Sequence, residues 1–242
     1  MLELVNDVLE MSRIESGRME LTPIPVNLES CILEAEDLVK NQLEEKQIHF
    51  TVSHDLTHRW VLCDQILLNR VLMNLLCNAG KFTPEGGQVS LVLTELAADE
   101  DTADYVIRVE DTGIGMSQDF VKHIFSPFEW ERTSTVSKTQ GTGLGMAITK
   151  NIIDLMGGTI DVETEQGRGT SFIIRLPFPL EEARDEETGA SESLSADYHF
   201  EGTRVLLVED NPVNMEIACM ILNHAGFDRC RDILQSPSTR KK

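Results

Sequence analysis

Three short polar blocks occur in one order along the 242 residues, and their order is the strongest signal in the sequence. The first is Asn74-x-x-x-Asn78-Ala79-x-Lys81-Phe82-Thr83, the second Asp111-x-Gly113-x-Gly115, and the third Gly141-Thr142-Gly143-Leu144-Gly145. Asn74, Asn78 and Lys81 stand at i, i+4 and i+7, so on a helix they share one face and can converge on one ligand. Asp111 follows an alternating apolar segment and precedes two glycines, which puts its carboxylate where the backbone turns sharply. Gly141, Thr142, Gly143, Leu144 and Gly145 place exposed N–H groups at the start of a helix.

Each block alone has a plain reading: surface amides on a helix, an ordinary Asp-Thr-Gly turn, a flexible loop. As an ordered set they describe a site for ATP with Mg2+. Magnesium takes oxygen ligands and keeps several waters, so the amide oxygen of Asn78 suits it without adding negative charge beside a triphosphate. Lys81 can offset phosphate charge. A carboxylate at Asp111 can accept the exocyclic amine of adenine, where guanine presents a carbonyl. Two other glycine motifs are excluded. The dinucleotide fingerprint needs glycine at the position of Met146, and the P-loop needs Ser or Thr where Phe82 follows Gly80-Lys81.

A formal charge of -20 argues against a nucleic-acid or anionic-membrane partner, because each phosphate surface would be repelled. The cysteines Cys31, Cys63, Cys77, Cys219 and Cys230 form no C-x-x-C pair, which fits reduced thiols in a cytoplasmic protein. No apolar run approaches the ~20 residues that span a bilayer, so the chain itself is expected to make no membrane contact, although a longer parent can be membrane-anchored.

The apolar pattern predicts a helix over residues 1–19, either one arm of a bundled pair or a cap on the main domain. Asn27 and Asp64 are expected to cap helices, the second running to about Gly80 with Leu68, Leu72, Leu75, Leu76 and Ala79 inward. Ile48, Phe50 and Val52 alternate as a strand. Two hairpins follow: one from Val89, Leu91, Leu93 and Tyr105, Ile107, Val109 across an exposed acidic turn at 97–104, the other from 160–163 and 172–176. A helix is predicted over 144–156, and the polar stretch 117–140 reads as a lid over the phosphates. The sum is a two-layer α/β sandwich, a mixed sheet covered on one side by helices, with a short βα fragment behind it.

The three blocks resemble the N, G1 and G2 boxes of the histidine-kinase catalytic domain, and Phe125 and Phe128 in Ile124-Phe125-Ser126-Pro127-Phe128 resemble the F box between them. The resemblance covers about residues 21–179 and implies the Bergerat ATP-binding fold shared with gyrase, chaperone and mismatch-repair ATPases. It implies Asn78 as a magnesium ligand, Asp111 as the adenine reader and Thr170 as a contact near the base. In the hydrolysing relatives the position of Asn74 is a glutamate that activates water, and asparagine cannot act as a general base. A kinase that holds ATP for an incoming nucleophile is therefore expected. The alternatives are an ATP-hydrolysing conformational switch and a non-catalytic docking module.

The flanks extend the resemblance. Residues 1–21 are similar to the end of a dimerisation helix, residues 22–179 to the catalytic domain, and 180–201 read as an acidic flexible linker. Residues 202–242 are similar to the start of a response-regulator receiver, with Glu209 and Asp210 as its magnesium pair. By this resemblance the phosphoaccepting histidine and aspartate lie outside the chain, which would not phosphorylate itself. Ser53-His54-Asp55-Leu56 mimics a histidine box but follows a strand and lacks the expected Arg-Thr-Pro, so His54 is expected to be structural or superficial. The expected partners are a histidine-bearing dimerisation domain and a receiver domain, with a homodimer only in the full-length parent.

Overall fold

In the computed structural model the described residues are 2–129 and 142–181, all within one compact unit over 1–183. Helix α1 (Leu2–Glu15) is followed by strand β1 (Ile24–Asn27), helix α2 (Leu28–Glu45), and strands β2 (His49–Asp55) and β3 (Trp60–Cys63). Helix α3 (Gln65–Phe82), strands β4 (Gln88–Ala98) and β5 (Thr102–Asp111), short α4 (Gln118–Val121), α5 (Gly145–Leu155), β6 (Thr159–Glu165) and β7 (Gly169–Pro179) complete it.

The caps form as the side chains dictate. Asn27 Oδ1 accepts from the N–H of Glu29 at 3.0 Å, and Asp64 Oδ1 from that of Leu67 at 3.0 Å, each satisfying a donor that the helix start leaves over. Asp64 also accepts from the Thr22 N–H at 3.0 Å, tying the segment ahead of β1 to the start of α3. The predicted stripe of α3 is buried at Leu68, Leu72, Leu75, Leu76 and Ala79.

The strands form a five-stranded sheet in the order β2-β4-β5-β7-β6, with β2 parallel to β4 and the other pairs antiparallel. Both predicted hairpins are present. Helices α2, α3 and α5 pack on this sheet, so the mixed sheet with a helical layer stands as expected. On β5, Ala103, Tyr105, Ile107, Val109 and Asp111 alternate inward, and register pairs Asp111 with Thr170 of β7. Asp111 thus continues the apolar stripe into the core, and the sheet sets Thr170 beside it.

Three details depart from the pattern-based expectation. The first hairpin turn is confined to 99–101, because the Asp99 carboxylate accepts from the N–H groups of Asp101 and Thr102 and lets β4 and β5 run on. Leu180, expected in the linker, bridges to Val61, and the Glu181 N–H donates to the Trp60 carbonyl at 3.1 Å, so the edge of β3 is met by the residues that follow β7. The β1/β3 pair is a separate two-stranded sheet that four-residue strands are too short to reveal by alternation.

Helix α1 docks on the domain: it contacts α5, and Met11 and Ile14 pack against the core. Cys31 and Cys63 are buried, and burial pushes both thiols up to about 12, leaving them unreactive. Among the described residues no helix is long and apolar enough to cross a membrane. Gly141, the pair Glu209 and Asp210, residues 130–140 of the expected lid, and 182–242 lie outside the described residues.

Candidate nucleotide site

A cavity of about 610 Å³ opens between α3, the turn after β5 and the start of α5. Its wall includes Asn74, Asn78 and Lys81 from the first block, Asp111 and Gly115 from the second, Thr142, Gly143 and Gly145 from the third, and Thr170. Three segments separated by about thirty residues each therefore meet around one space, as their order suggested. Gly113 and Leu144 stand behind it. The Gly113 N–H donates to Asp111 Oδ1 at 2.8 Å, and Leu144 is buried at the N-cap of α5, where its apolar side chain cannot cap the helix. No side chain caps this helix start, although the Leu144 N–H donates to Thr142 Oγ1 at 3.4 Å.

Besides Asp111 the lining has an apolar set, Ile114, Met116, Phe120, Ile124, Ile148 and Phe172, suited to a flat ring with one polar group to meet. Burial pushes the Asp111 carboxyl up to about 6, against backbone N–H bonds from Gly113 and Thr170 that pull it down. A Cβ on Gly113 would lie 2.6 Å from Asp111 Oδ1 and 2.7 Å from the Phe82 carbonyl oxygen, so only glycine lets this turn close on the carboxylate. Thr170 shares a hydrogen bond of 3.1 Å with Thr164, whose hydroxyl also donates to the Gly169 carbonyl and accepts from the Met116 N–H. The second block and the closing strand are fastened together at this point.

The opposite end is polar. Asn74 Nδ2 donates to Thr149 Oγ1 at 2.7 Å, and Asn78 Nδ2 makes long contacts to Asn74 Oδ1 at 3.5 Å and Met146 Sδ at 3.4 Å. Lys81 Nζ lies 5.0 Å from the centroid of the Phe82 ring. A Cβ on Gly145 would approach Asn74 Oδ1 to 2.5 Å, so this glycine makes room for the amide.

Two groups on the wall were not visible in the blocks. Arg70 lies one helical turn before Asn74 on the same face of α3, a position that extending the i, i+4 stripe backwards would have found. It pairs with Glu10 and, at 3.4 Å, with Asp7 of α1. Asp7 also accepts from the Thr142 hydroxyl at 2.7 Å. Burial raises the Glu10 carboxyl, with Arg70 beside it acting in the other direction. No sequence signal pointed to Asp7, because its role depends on how α1 docks.

Of the F-box pair, Phe125 packs against the core, whereas Phe128 is exposed with φ 63° and its N–H donates to the Gly143 carbonyl at 2.9 Å, joining that segment to the third block. His54 pairs with Glu29 of α2 at 3.2 Å, on the same face of β2 as Phe50 and Val52, and does not line the cavity, in keeping with a structural residue.

Comparison with known proteins bears on this geometry. The family described as Histidine kinase-, DNA gyrase B-, and HSP90-like ATPase matches residues 63–180. The Autoinducer 2 sensor kinase/phosphatase LuxQ of Vibrio parahaemolyticus is 32% identical over 216 residues, 88% of this chain and 25% of LuxQ. Full-length ShkA in complex with AMPPNP superposes with a TM-score of 0.62 at 33% identity, over 75% of this chain and 36% of ShkA. The catalytic domain of histidine kinase ThkA gives 0.55 at 31% identity, over 66% of this chain and 96% of that domain. ThkA has also been solved in complex with the response regulator protein TrrA, a structure matched with a TM-score of 0.55 at 26% identity over 72% of this chain and 48% of that one. The chain spans about a quarter of the length of the curated relatives it matches.

Proposed function

Because the chain belongs to the family of histidine kinase-, DNA gyrase B- and HSP90-like ATPases, with sensor histidine kinases among its relatives, we propose that its cavity holds Mg-ATP and presents the γ-phosphoryl group to a histidine on a separate dimerisation domain. The observation that carries this reading is the convergence of all three polar blocks on one cavity, whose wall holds Asp111, the Asn74 and Asn78 amides and a set of apolar side chains.

In this reading Asp111 accepts the adenine amine, with Gly113 and Thr170 fixing the carboxylate and Gly115 giving the ring access to the main chain. Thr142, Gly143, Leu144 and Gly145, with Gly141 ahead of them, supply backbone donors to the phosphates at the start of α5. Lys81 neutralises phosphate charge. The donor set at the polar end fits a magnesium ion: the Asn78 amino group is turned toward Asn74 and Met146, which leaves its carbonyl oxygen as the ligating atom. The ion would supply charge neutralisation across the phosphate oxygens. Asn74 holds its neighbour in place and, lacking a basic carboxylate, does not activate water. Catalysis then consists of positioning and charge stabilisation by the site while an external nucleophile attacks.

The partners in this reading are the histidine-bearing domain and a response-regulator receiver, which the ThkA complex supports by similarity. The domain boundaries at 21, 179 and 201, the Glu209 and Asp210 pair as a receiver metal site, and a cytoplasmic location belong to the same reading. Incubating the chain with labelled ATP and an isolated histidine-bearing dimerisation domain tests it. Labelled domain is the expected product. Nucleotide binding without transfer counts against it, and steady phosphate release with no histidine substrate supports a hydrolysing switch instead.

A further inference from the structure

Thr149 lies on the buried face of α5 with 1% of its surface exposed, the polar member of a set otherwise made of Ala147, Ile148, Ile152 and Ile153. A buried hydroxyl is retained at a cost unless it has partners, and here the partner is Asn74: its Nδ2 donates to Thr149 Oγ1 at 2.7 Å, the shortest contact in the amide cluster. A threonine hydroxyl inside a helix can give its own proton to a carbonyl three or four residues back, and here its oxygen is the acceptor for Asn74. An amide has one donating and one accepting end. Holding the Asn74 amino group at Thr149 turns Asn74 Oδ1 toward Asn78, whose Nδ2 approaches it at 3.5 Å. That in turn leaves Asn78 Oδ1 for the cavity. A Cβ at position 145 would lie 2.5 Å from Asn74 Oδ1, so the backbone there runs close to the same amide.

We infer that Thr149 is a positioning residue, which fixes the amide direction of Asn74 and through it presents the carbonyl oxygen of Asn78 to the metal and phosphate end of a bound nucleotide. The inference rests on the Mg-ATP reading above and adds to it the residue that sets the polarity of the amide pair. Without the hydroxyl, Asn74 loses its anchor and both amides can rotate. The oxygen and amino group of Asn78 then exchange places, and an amino group cannot bind a cation.

The test compares Thr149→Val, which keeps the shape and removes the hydroxyl, with Thr149→Ser, which keeps the hydroxyl, in the full chain. The readout is binding of AMPPNP measured by calorimetry with magnesium and again with a chelator. The expected result is a loss of about ten- to a hundred-fold in affinity for the magnesium complex in Thr149→Val, the size typical of groups that orient a metal ligand. Metal-free binding stays within about twofold of wild type, and Thr149→Ser restores the magnesium effect. Equal loss of both affinities, as from a core defect, overturns the inference, as does a Thr149→Val that keeps the full magnesium effect. If wild type gains nothing from magnesium, the Mg-ATP reading fails first and the inference falls with it; if wild type gains and the valine variant gains equally, only the inference falls.

Discussion

At the residue scale, the buried carboxyl of Asp111 connects nucleotide binding to pH. Its ordinary value of 3.8 is raised by burial to about 6, and in the proposed site the ionised form is the stronger acceptor for the adenine amine. Affinity for ATP is therefore expected to be flat above pH 7 and to fall by up to about tenfold per unit below pH 6, measured by calorimetry from pH 5 to 8. Stability runs the other way. The raised value means that the native state binds the proton more tightly than the unfolded chain, so this contribution is fully present below about pH 4 and is lost as pH rises through about 6. Asp111→Asn removes both trends, and a pH profile unchanged by that substitution contradicts the role given to the carboxylate. Gly145→Ala is a second test at this scale. Its methyl group would meet Asn74 Oδ1 at 2.5 Å, so it is expected to weaken magnesium-dependent nucleotide binding by about tenfold while leaving the circular dichroism spectrum intact.

At the element scale, α3 supplies both the core and the polar wall from one stretch of sequence, which is why its two faces could be read apart. The stripe of Leu68, Leu72, Leu75 and Leu76 and the stripe of Asn74, Asn78 and Lys81 repeat with the helical period on different sides. Leu75→Ala is expected to destabilise the domain by about 2–5 kcal/mol, and Asp64→Ala by about 1–2 kcal/mol through loss of the cap and of the Thr22 tie; both are read from urea unfolding. Asp111 was equally legible, since it is the next inward position after Tyr105, Ile107 and Val109 on one strand. What escaped the sequence has a common cause. Strands β1 and β3 have four residues each, too few for a period. Thr149 looks like any helical threonine until α5 is laid against α3, and Leu180 looks like linker until it meets Val61. These are long-range contacts, which neither propensity nor spacing records.

At the scale of the whole molecule, a ligand that binds only the folded domain stabilises it by mass action. At a hundred times its dissociation constant, Mg-ATP is expected to add about 2.7 kcal/mol and raise the melting temperature by roughly 5–10 °C. A thermal melt that does not move with ATP favours the docking-module alternative. The helix at the start of the domain enters the same balance, because Asp7 holds both Arg70 and Thr142 on the rim of the cavity. A triphosphate that recruits either group does so in competition with the carboxylate, and free energies of two competing events are reciprocal. Whatever factor nucleotide takes from the docking of α1, withdrawal of α1 returns to nucleotide. In the proposed site, a movement that withdraws α1 and its Asp7 is therefore expected to raise ATP affinity.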